Sequence, residues 1–337
     1  MPKRVGNLMP RIASMANLYE AFYRAARGRT GKKVVIDFRQ HLDENLANIR
    51  RQLLDGSFCF GQYHFFTIHD PKKRTICAAS FPERIVFHAM MRICHPVFES
   101  FQTNDSFASR KGRGQYAALE RTQYMTRRYR WFAKIDVRKY FDSINHELML
   151  SQLARLFKDR QLLLYFRDLI DSYETAEGCG LPIGNLTSQY FANHYLSVAD
   201  HYAKEHLHVP AMVRYMDDIL LFDNDKCRLL QCVREYEKFL CRELLLSTHP
   251  AVTNRVGSGL PFLGYVVRPG ILRLNARSKR RFRNKMAVLC RKLEKEEIEE
   301  REYTDRATCL FSFIEKADVY ALKRRMSQTL GIYPEGL

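Results

Sequence analysis

Three aspartates occupy positions where acidic side chains could bind metal ions. Asp217 and Asp218 are adjacent and lie between two short stretches of strand character, the second being residues 219–222. This pattern predicts a β-hairpin with acids at its tip. Two like charges buried side by side need a divalent cation or abundant water to compensate them. An isolated Asp-Asp pair is more often ordinary turn chemistry, but Asp136 ends another strand-like stretch, 131–136. Three acids on neighbouring strand ends indicate a two-metal site.

The composition restricts the partners and the compartment. Lys and Arg number 55 against 37 Asp and Glu in 337 residues, a net charge of +18, which indicates a polyanionic partner, nucleic acid rather than membrane. No run approaches the ~20 apolar residues of a membrane span, and no signal peptide follows Met1. The nine cysteines show no metal-binding or redox spacing and predict reduced thiols. We expect a soluble, cytoplasmic protein.

The apolar pattern predicts the elements that position these acids. Two helices are expected before residue 55, and two strands joined by a basic tip at 63–68 and 75–78. Further helices are expected at 82–101, 116–130 and 226–244, together with one capped by Asn145 and a short strand at 262–265. A helix after the Gly-rich turn 178–184 repeats apolar residues as one buried stripe, namely Phe191, Tyr195, Val198, Ala199 and Tyr202. A small antiparallel sheet backed by helices fits this order, so the class is α+β.

The order of the short motifs resembles the reverse transcriptases. Asp136 with Phe141 five residues later, the Gly-rich turn that opens a helix at 183–189, the Tyr-Met-Asp-Asp (YMDD) hairpin 215–218 and Phe-Leu-Gly-Tyr 262–265 follow the order of that family's palm motifs. Upstream, 71–74 and 106–114 resemble the fingers motifs of its bacterial members. The resemblance covers essentially the whole chain. Six motifs in order are far more specific than YMDD alone.

The resemblance implies a right-hand polymerase fold. Residues 1–130 would form an N-terminal extension and fingers of helices and strands. Residues 131–265 would form the palm, with a helical fingers insertion near 145–180, and 266–337 a basic helical thumb.

The resemblance also implies an activity, that of a nucleotidyltransferase making DNA on an RNA template from deoxynucleoside triphosphates. Asp136 and Asp217, assisted by Asp218, would hold two Mg²⁺ ions, with Mn²⁺ as the alternative metal. The backbone carbonyl of Val137 would add a ligand.

Further roles carry over from the family to the residues that bind nucleotide and nucleic acid. Phe141 would be the steric gate against a ribose 2′-hydroxyl, although an isolated phenylalanine is usually a core residue. Lys72 and Arg74 would contact the triphosphate, and Ile183 and Gln189 the nascent base pair. The primer, template and RNA/cDNA duplex would be contacted by Tyr215 and Met216 under the primer terminus, by Arg110 and Arg113, and by Arg277, Lys279, Arg280 and Arg281 in the thumb.

The thumb residues belong to a stretch, 277–292, in which basic residues surround an apolar stripe of Phe282, Met286, Leu289 and Leu293. By itself the stretch fits a solvated surface helix equally well. Beside a polymerase core it indicates a grip on the phosphate backbone.

One motif points to a subfamily. Residues 183–189 read Ile-Gly-Asn-Leu-Thr-Ser-Gln, where retron and group II intron enzymes usually carry Gln-Gly-x-x-x-Ser-Pro. The variant is typical of reverse transcriptases of diversity-generating retroelements, encoded by bacteria or phages. Those enzymes copy a template RNA with frequent errors opposite adenine, and the cDNA rewrites a variable gene by mutagenic retrohoming. They act with a small basic pentameric accessory protein.

Other readings stay open beside this one. A retron, group II intron or defence-associated reverse transcriptase is the enzymatic alternative. A catalytically inactive RNA-binding scaffold is the alternative from another class, and retention of all three acids argues against it.

The sequence departs from many relatives in having no Lys shortly before 262–265 to protonate pyrophosphate. His249 and Arg255 are the candidates to replace it.

Overall fold

The computed structural model describes residues 3–69 and 74–317. The chain divides into two compact units that interleave along the sequence. The first comprises residues up to Arg110, Asp136–His208 and Arg234–Pro250, and the second comprises Lys111–Ile135, Val209–Val233 and residues from Ala251 onward. This division does not follow the consecutive segments 1–130, 131–265 and 266–337, which stay a prediction.

Helices make up most of the described chain, and their bounds follow the sequence pattern closely in several places. The helix predicted at 82–101 is found at 81–101, where Ser80 and Glu83 form a reciprocal capping box. In chain order the helices are α1 (Met9–Ile12), α2 (Met15–Ala26), α3 (Lys33–Gln40), α4 (Leu42–Asp55), α5 (Phe81–Phe101), α6 (Gln115–Arg128), α7 (His146–Leu156), α8 (Arg160–Asp171), α9 (Leu186–His201), α10 (Lys226–Glu243), α11 (Ala276–Glu294) and α12 (Glu300–Ile314).

The strands form three antiparallel groupings among the described residues. Two strands pair as predicted, with Tyr63 opposite Ala79, while residues 70–73 of the predicted basic tip lie outside the described residues. In chain order the strands are β1 (Tyr63–Ile68), β2 (Arg74–Ala79), β3 (Trp131–Asp136), β4 (Ala211–Tyr215), β5 (Asp218–Asp223), β6 (Val252–Arg255), β7 (Leu260–Phe262), β8 (Tyr265–Arg268) and β9 (Ile271–Leu274). The sheet orders are β1-β2, β4-β5-β3-β6 and β7-β8-β9.

The N-terminal region differs from the prediction of two helices, which is wrong in number. Four helices occur before residue 55. Ser14 accepts a hydrogen bond from the Asn17 N–H and so begins α2 immediately after α1, because a side-chain cap can start a new helix without interrupting the apolar pattern. His41 separates α3 from α4 without a side-chain cap hydrogen bond, and no glycine or proline marks the break.

Helix α9 is buried on nearly every side, whereas the sequence predicts one buried stripe. Phe191, Tyr195 and Ala199 are buried as predicted, but Val198 and Tyr202 are only half-buried. Polar residues on the other faces are buried too, and Asn193 is paired internally, since its amide donates to the Ala108 carbonyl at 3.0 Å. Hydrophobic periodicity does not detect a buried face made of satisfied polar groups.

The segment 262–265, predicted as one strand, is instead the turn of the β7–β8 hairpin. Phe262 pairs with Tyr265, and the two residues between them have positive φ, 47° at Leu263 and 89° at Gly264. Two consecutive positive φ values define the turn type that suits the twist of a two-residue hairpin.

The predicted apolar stripe of α11 is confirmed at Phe282, Met286 and Leu289, which are buried, while Leu293 is half-buried.

Within residues 3–69 and 74–317, no helix combines the length and apolar character needed to cross a bilayer.

Candidate active site

The aspartate hairpin has the predicted form. Tyr215 is the last residue of β4 and pairs with Asp218, the first residue of β5. Met216 and Asp217 are therefore the two turn residues, and Met216 has a φ of 55°. Such a turn places Asp217 at the tip and Asp218 at the start of a sheet strand. Both aspartates are half-buried, which keeps them accessible to solvent and ions.

Arg214 stabilises this tip from inside the protein. Its side chain is fully buried, and its Nη1 donates to the Met216 carbonyl at 3.2 Å. Burial raises the pKa of the neighbouring Tyr215 hydroxyl, so the phenol stays neutral. Sequence reasoning missed Arg214, although an arginine inside an otherwise apolar strand is a signal, since arginine is rarely buried without a specific partner.

The strand that ends in Asp136 is the sheet neighbour of the hairpin strand β5. Lys134, two residues before Asp136, places its Nζ 2.8 Å from Oδ1 of Asp218. Lys134 is not among the residues predicted from the sequence. The signal was available, because residues i and i+2 of a strand point to the same face, and Lys134 is therefore on the Asp136 face of β3.

The backbone beyond β3 is paired on one side by residues 247–249. The His249 N–H donates to the Asp136 carbonyl, and the Arg138 N–H donates to the Ser247 carbonyl, both at 2.8 Å. These two bonds flank the antiparallel bridge between Val137 and Thr248. In that arrangement Val137 is a non-hydrogen-bonded partner of Thr248, so its own carbonyl points away from residues 247–249.

The two candidates for a pyrophosphate proton donor occupy different settings. His249 is exposed and bonds through its backbone to Asp136. Arg255 pairs with Trp131 in the sheet, and its guanidinium lies 5.2 Å from the centroid of that indole ring. Of the two, His249 is the one bonded directly to the backbone of an acidic candidate residue.

The Gly-rich turn is tied to the short 3-10 helix Tyr140–Ser143, which carries Phe141. The Leu181 N–H donates to the Phe141 carbonyl at 2.9 Å, and the Cys77 N–H in β2 donates to the Ile183 carbonyl at 2.8 Å. The ring of Phe141 is half-buried, so it is not a core phenylalanine. Phe141, Ile183 and β2 are thus connected by backbone hydrogen bonds.

Gly184 is required where it stands, and we predict that Gly184→Ala is costly. Its φ is +120°, and an added Cβ would lie 2.9 Å from Cγ2 of Ile76 and 3.1 Å from the Cys77 carbonyl oxygen. Backbone strain and overpacking together are expected to lower the free energy of unfolding by roughly 2–4 kcal/mol, measured by urea denaturation.

The control for this prediction is Gly178→Ala in the same turn. Gly178 also has a positive φ, +63°, but no atom lies within 4 Å of its added Cβ. It is expected to lose only ~1 kcal/mol. Equal losses in the two variants would contradict the role assigned to close packing at Gly184.

A cavity of about 310 Å³ in the first unit is lined by the start of α9 and by β2. Gln189 lines it and is exposed, and its Oε1 accepts a hydrogen bond from the Ser109 hydroxyl at 3.2 Å.

Burial lowers the pKa of the His88 side chain in the wall of this cavity, with Arg84 and Arg24 adding to the effect. His88 is therefore neutral at pH 7 and the positive charge of the cavity comes from its arginines. The remaining lining residues are Arg29, Phe66, Ile76, Ala78, Ala79, Arg84, Phe87, Gly184, Asn185 and Leu186.

The predicted nucleic-acid contacts are distributed unevenly. Arg74 is exposed at the start of β2, whereas Lys72 lies outside the described residues. Arg110 is only 5% exposed and is bound at 2.5 Å to Glu99, with further bonds to the Thr103 and Ser106 carbonyls. These contacts hold Arg110 inside the protein, and its contact with primer or template stays a prediction. Arg113 is half-buried.

The basic residues of the predicted thumb lie on α11. Arg277 and Arg280 are exposed, while Lys279 and Arg281 are half-buried. The Arg281 guanidinium lies 5.8 Å from the centroid of the Phe313 ring. The arrangement presents positive charge opposite the buried stripe of the helix, as a phosphate-binding face requires.

Oxygen donors of the hairpin suit a hard divalent cation in kind, and the Lys134 ammonium at Asp218 shows that this carboxylate accommodates positive charge. In the part of the chain that the structure describes, however, no group of three or more His, Cys, Asp or Glu side chains is arranged to hold a metal ion. The donor chemistry of the hairpin carboxylates therefore fits a divalent cation in kind.

Comparison with known proteins identifies the family. Residues 69–267 match the family model described as reverse transcriptase (RNA-dependent DNA polymerase). The match covers more than half of the chain, and the protein belongs to that family. Its α+β architecture is accordingly that of a right-hand polymerase, and reverse transcriptases use divalent metal ions.

Curated relatives include intron proteins. A COX1/OXI3 intron 1 protein of Saccharomyces cerevisiae is 25% identical over 173 residues, 49% of this chain and 21% of that protein. Nuclear intron maturase 2, mitochondrial, of Arabidopsis thaliana is 30% identical over 145 residues, 38% of this chain and 19% of that protein. The chain thus matches about a fifth of the length of each. A solved telomerase of Candida tropicalis with a fragment of telomeric RNA shows 9% identity and a TM-score of 0.48, covering 80% of this chain and 55% of that one.

Proposed function

We propose that the protein is an RNA-directed DNA polymerase that copies a template RNA into cDNA from deoxynucleoside triphosphates. The observation that carries the proposal is the Tyr215–Asp218 hairpin in a sheet whose neighbouring strand ends in Asp136. Family membership of residues 69–267 supports the same reaction.

Asp136, Asp217 and Asp218 would hold the metal, two Mg²⁺ ions in our proposal, with the carbonyl of Val137 as a further ligand. Bound divalent ions supply charge that activates the primer 3′-hydroxyl and neutralises the triphosphate. The chain's own contribution is placement: Arg214 fixes the hairpin tip through the Met216 carbonyl, and the Val137 carbonyl is turned away from residues 247–249. Fixed placement of this kind is what nucleotidyl transfer requires from the protein.

The incoming nucleotide would lie against Phe141, Ile183 and Gln189, with Arg74 and Lys72 on the triphosphate. The backbone bonds between the Gly-rich turn, Phe141 and β2 support this grouping. Arginine binds phosphate oxygens through two parallel donors, which suits exposed Arg74. Template and RNA/cDNA duplex would be held by the basic face of α11, by Arg113, and by Tyr215 and Met216.

The direct test is primer extension by the purified protein on an RNA template with Mg²⁺. DNA products of template length, absent when deoxynucleotides are replaced by ribonucleotides, would support the proposal. Absence of DNA synthesis with either Mg²⁺ or Mn²⁺, with and without an accessory protein, would reject it.

We further propose the diversity-generating subtype, with mutagenic retrohoming as its purpose and a small basic pentameric protein as its partner. Its support is the Ile-Gly-Asn-Leu-Thr-Ser-Gln variant at 183–189. The second candidate is an intron-type reverse transcriptase, which the intron proteins among the relatives favour. The two differ in fidelity opposite template adenine.

Ile183→Gln tests the subtype. An aliphatic side chain at 183 makes none of the polar contacts that glutamine can make beside a template base, and each ~1.4 kcal/mol of transition-state difference changes discrimination tenfold. The wild type is expected to misincorporate mainly opposite adenine, and Ile183→Gln to lower that error rate by roughly three- to tenfold while DNA is still made. Deep sequencing of the cDNA measures both.

The matched control is Ile183→Val, which keeps a β-branched aliphatic side chain and is expected to retain the wild-type error rate. Equal adenine error frequencies in the wild type and Ile183→Gln would remove Ile183 from the explanation. A wild type with uniformly few errors would favour the intron-type alternative.

A further inference from the structure

The ion pair between Lys134 and Asp218 places a cation of the protein where a metal ion would be bound. The Nζ to Oδ1 distance is 2.8 Å, and the two side chains are 23% and 28% exposed. In β3, Ala133 and Ile135 are buried, while Lys134 and Asp136 alternate with them and are half-buried. The ammonium group therefore lies on the face of the strand that carries Asp136.

Such a pair opposes metal binding in two ways. The ammonium occupies lone pairs of the Asp218 carboxylate that a metal would use. It also repels a second cation placed at the same carboxylate, because like charges a few ångströms apart interact strongly at a partly buried site.

We propose that Lys134 is a positioning residue that acts as the resident counter-ion of Asp218 and is displaced by the divalent ion. Lys134 keeps the carboxylate in place and compensated while no metal is bound, and it weakens the binding of divalent cations. This inference rests on the proposed function, in that the hairpin aspartates are taken as metal ligands.

The test is direct Mn²⁺ binding without nucleotide or primer, read from the loss of the free-ion signal in electron paramagnetic resonance. Lys134→Met is expected to bind Mn²⁺ about tenfold more tightly than the wild type, since it removes one unit of positive charge at ion-pair distance. Lys134→Arg retains the charge and is expected to bind as the wild type does. Lys134→Gln keeps a donor without the charge and is expected to follow Lys134→Met.

Lys204→Met is the matched control, because Lys204 also forms an ion pair at 2.8 Å with an aspartate, the buried Asp105. It is expected to leave Mn²⁺ affinity unchanged. Circular dichroism of each variant verifies that it is folded. If Lys134→Met is not folded, the comparison is made with Lys134→Gln and Lys134→Arg.

A double-mutant cycle shows whether Lys134 acts through Asp218. Combined with Asp218→Asn, Lys134→Met is expected to change Mn²⁺ affinity by less than about twofold, because the carboxylate charge on which Lys134 acts is gone. An undiminished tenfold effect in that background, or an unchanged or weaker affinity in Lys134→Met alone, would overturn the proposal.

The readout separates this inference from the proposed activity. Tighter Mn²⁺ binding by Lys134→Met in a protein that makes no DNA would uphold the counter-ion role and reject the polymerase. DNA synthesis with Mn²⁺ affinity unchanged by Lys134→Met would do the reverse.

Discussion

Asp217→Asn is expected to reduce Mg²⁺-dependent DNA synthesis by at least about a thousandfold while RNA binding stays within about twofold of the wild type. Asp217 is at the tip of the β4–β5 turn, half-buried and followed directly by Asp218. Removing one carboxylate charge from a metal site costs several kcal/mol of transition-state stabilisation. RNA affinity depends instead on the basic surface. Single-turnover primer extension and filter binding measure the two quantities.

Asp225→Asn is the matched control for this substitution. Asp225 follows β5, and its Oδ1 accepts hydrogen bonds from the Cys227 and Arg228 N–H groups at 2.7 and 3.3 Å. Asparagine caps helices as well as aspartate does, so the variant is expected to fold and polymerise normally. Robust extension by Asp217→Asn, or an equal loss in Asp225→Asn, would reject the metal-ligand role of Asp217.

The hairpin could be predicted from the sequence because its determinants are local. Two short apolar strands are joined by only two residues, and in a hairpin the length of the connection fixes the register, here Tyr215 opposite Asp218. Asn145 could be predicted as a helix cap for the same reason, and its Oδ1 does accept the Leu148 N–H at 3.0 Å.

Features that depend on distant partners could not be predicted in this way. Arg110 belongs to a basic loop in the sequence, and only the fold shows that Glu99, on another element, neutralises it. The Phe-Leu-Gly-Tyr segment is apolar enough for a strand, yet the positive φ of Leu263 and Gly264 makes it a turn. A short apolar run does not distinguish a strand from a turn between two strands.

Phe141→Ala is expected to lower discrimination against ribonucleotides by about a hundredfold. Phe141 is the second residue of the 3-10 helix Tyr140–Ser143, which begins directly after Lys139, whose φ is 44°. Its ring is half-buried and stands edge-on to Tyr140 with the ring centroids 5.8 Å apart. Tyr140 is itself fixed, since its hydroxyl donates to the Ala192 carbonyl. The ring of Phe141 thus packs against a fixed neighbour and leaves part of its surface exposed.

A rigid aromatic ring discriminates by volume, because a 2′-hydroxyl pressed against it must displace either the sugar or the ring. Removing the ring leaves space beside C2′, and loss of ~2.7 kcal/mol of discrimination corresponds to the hundredfold change. Competition between ribonucleotides and deoxynucleotides in primer extension measures the ratio of kcat/KM values. Phe141→Tyr retains the ring and is expected to retain discrimination. If Phe141→Ala discriminates as the wild type does, another residue excludes the 2′-hydroxyl, and the half-buried ring of Phe141 serves only to pack against Tyr140.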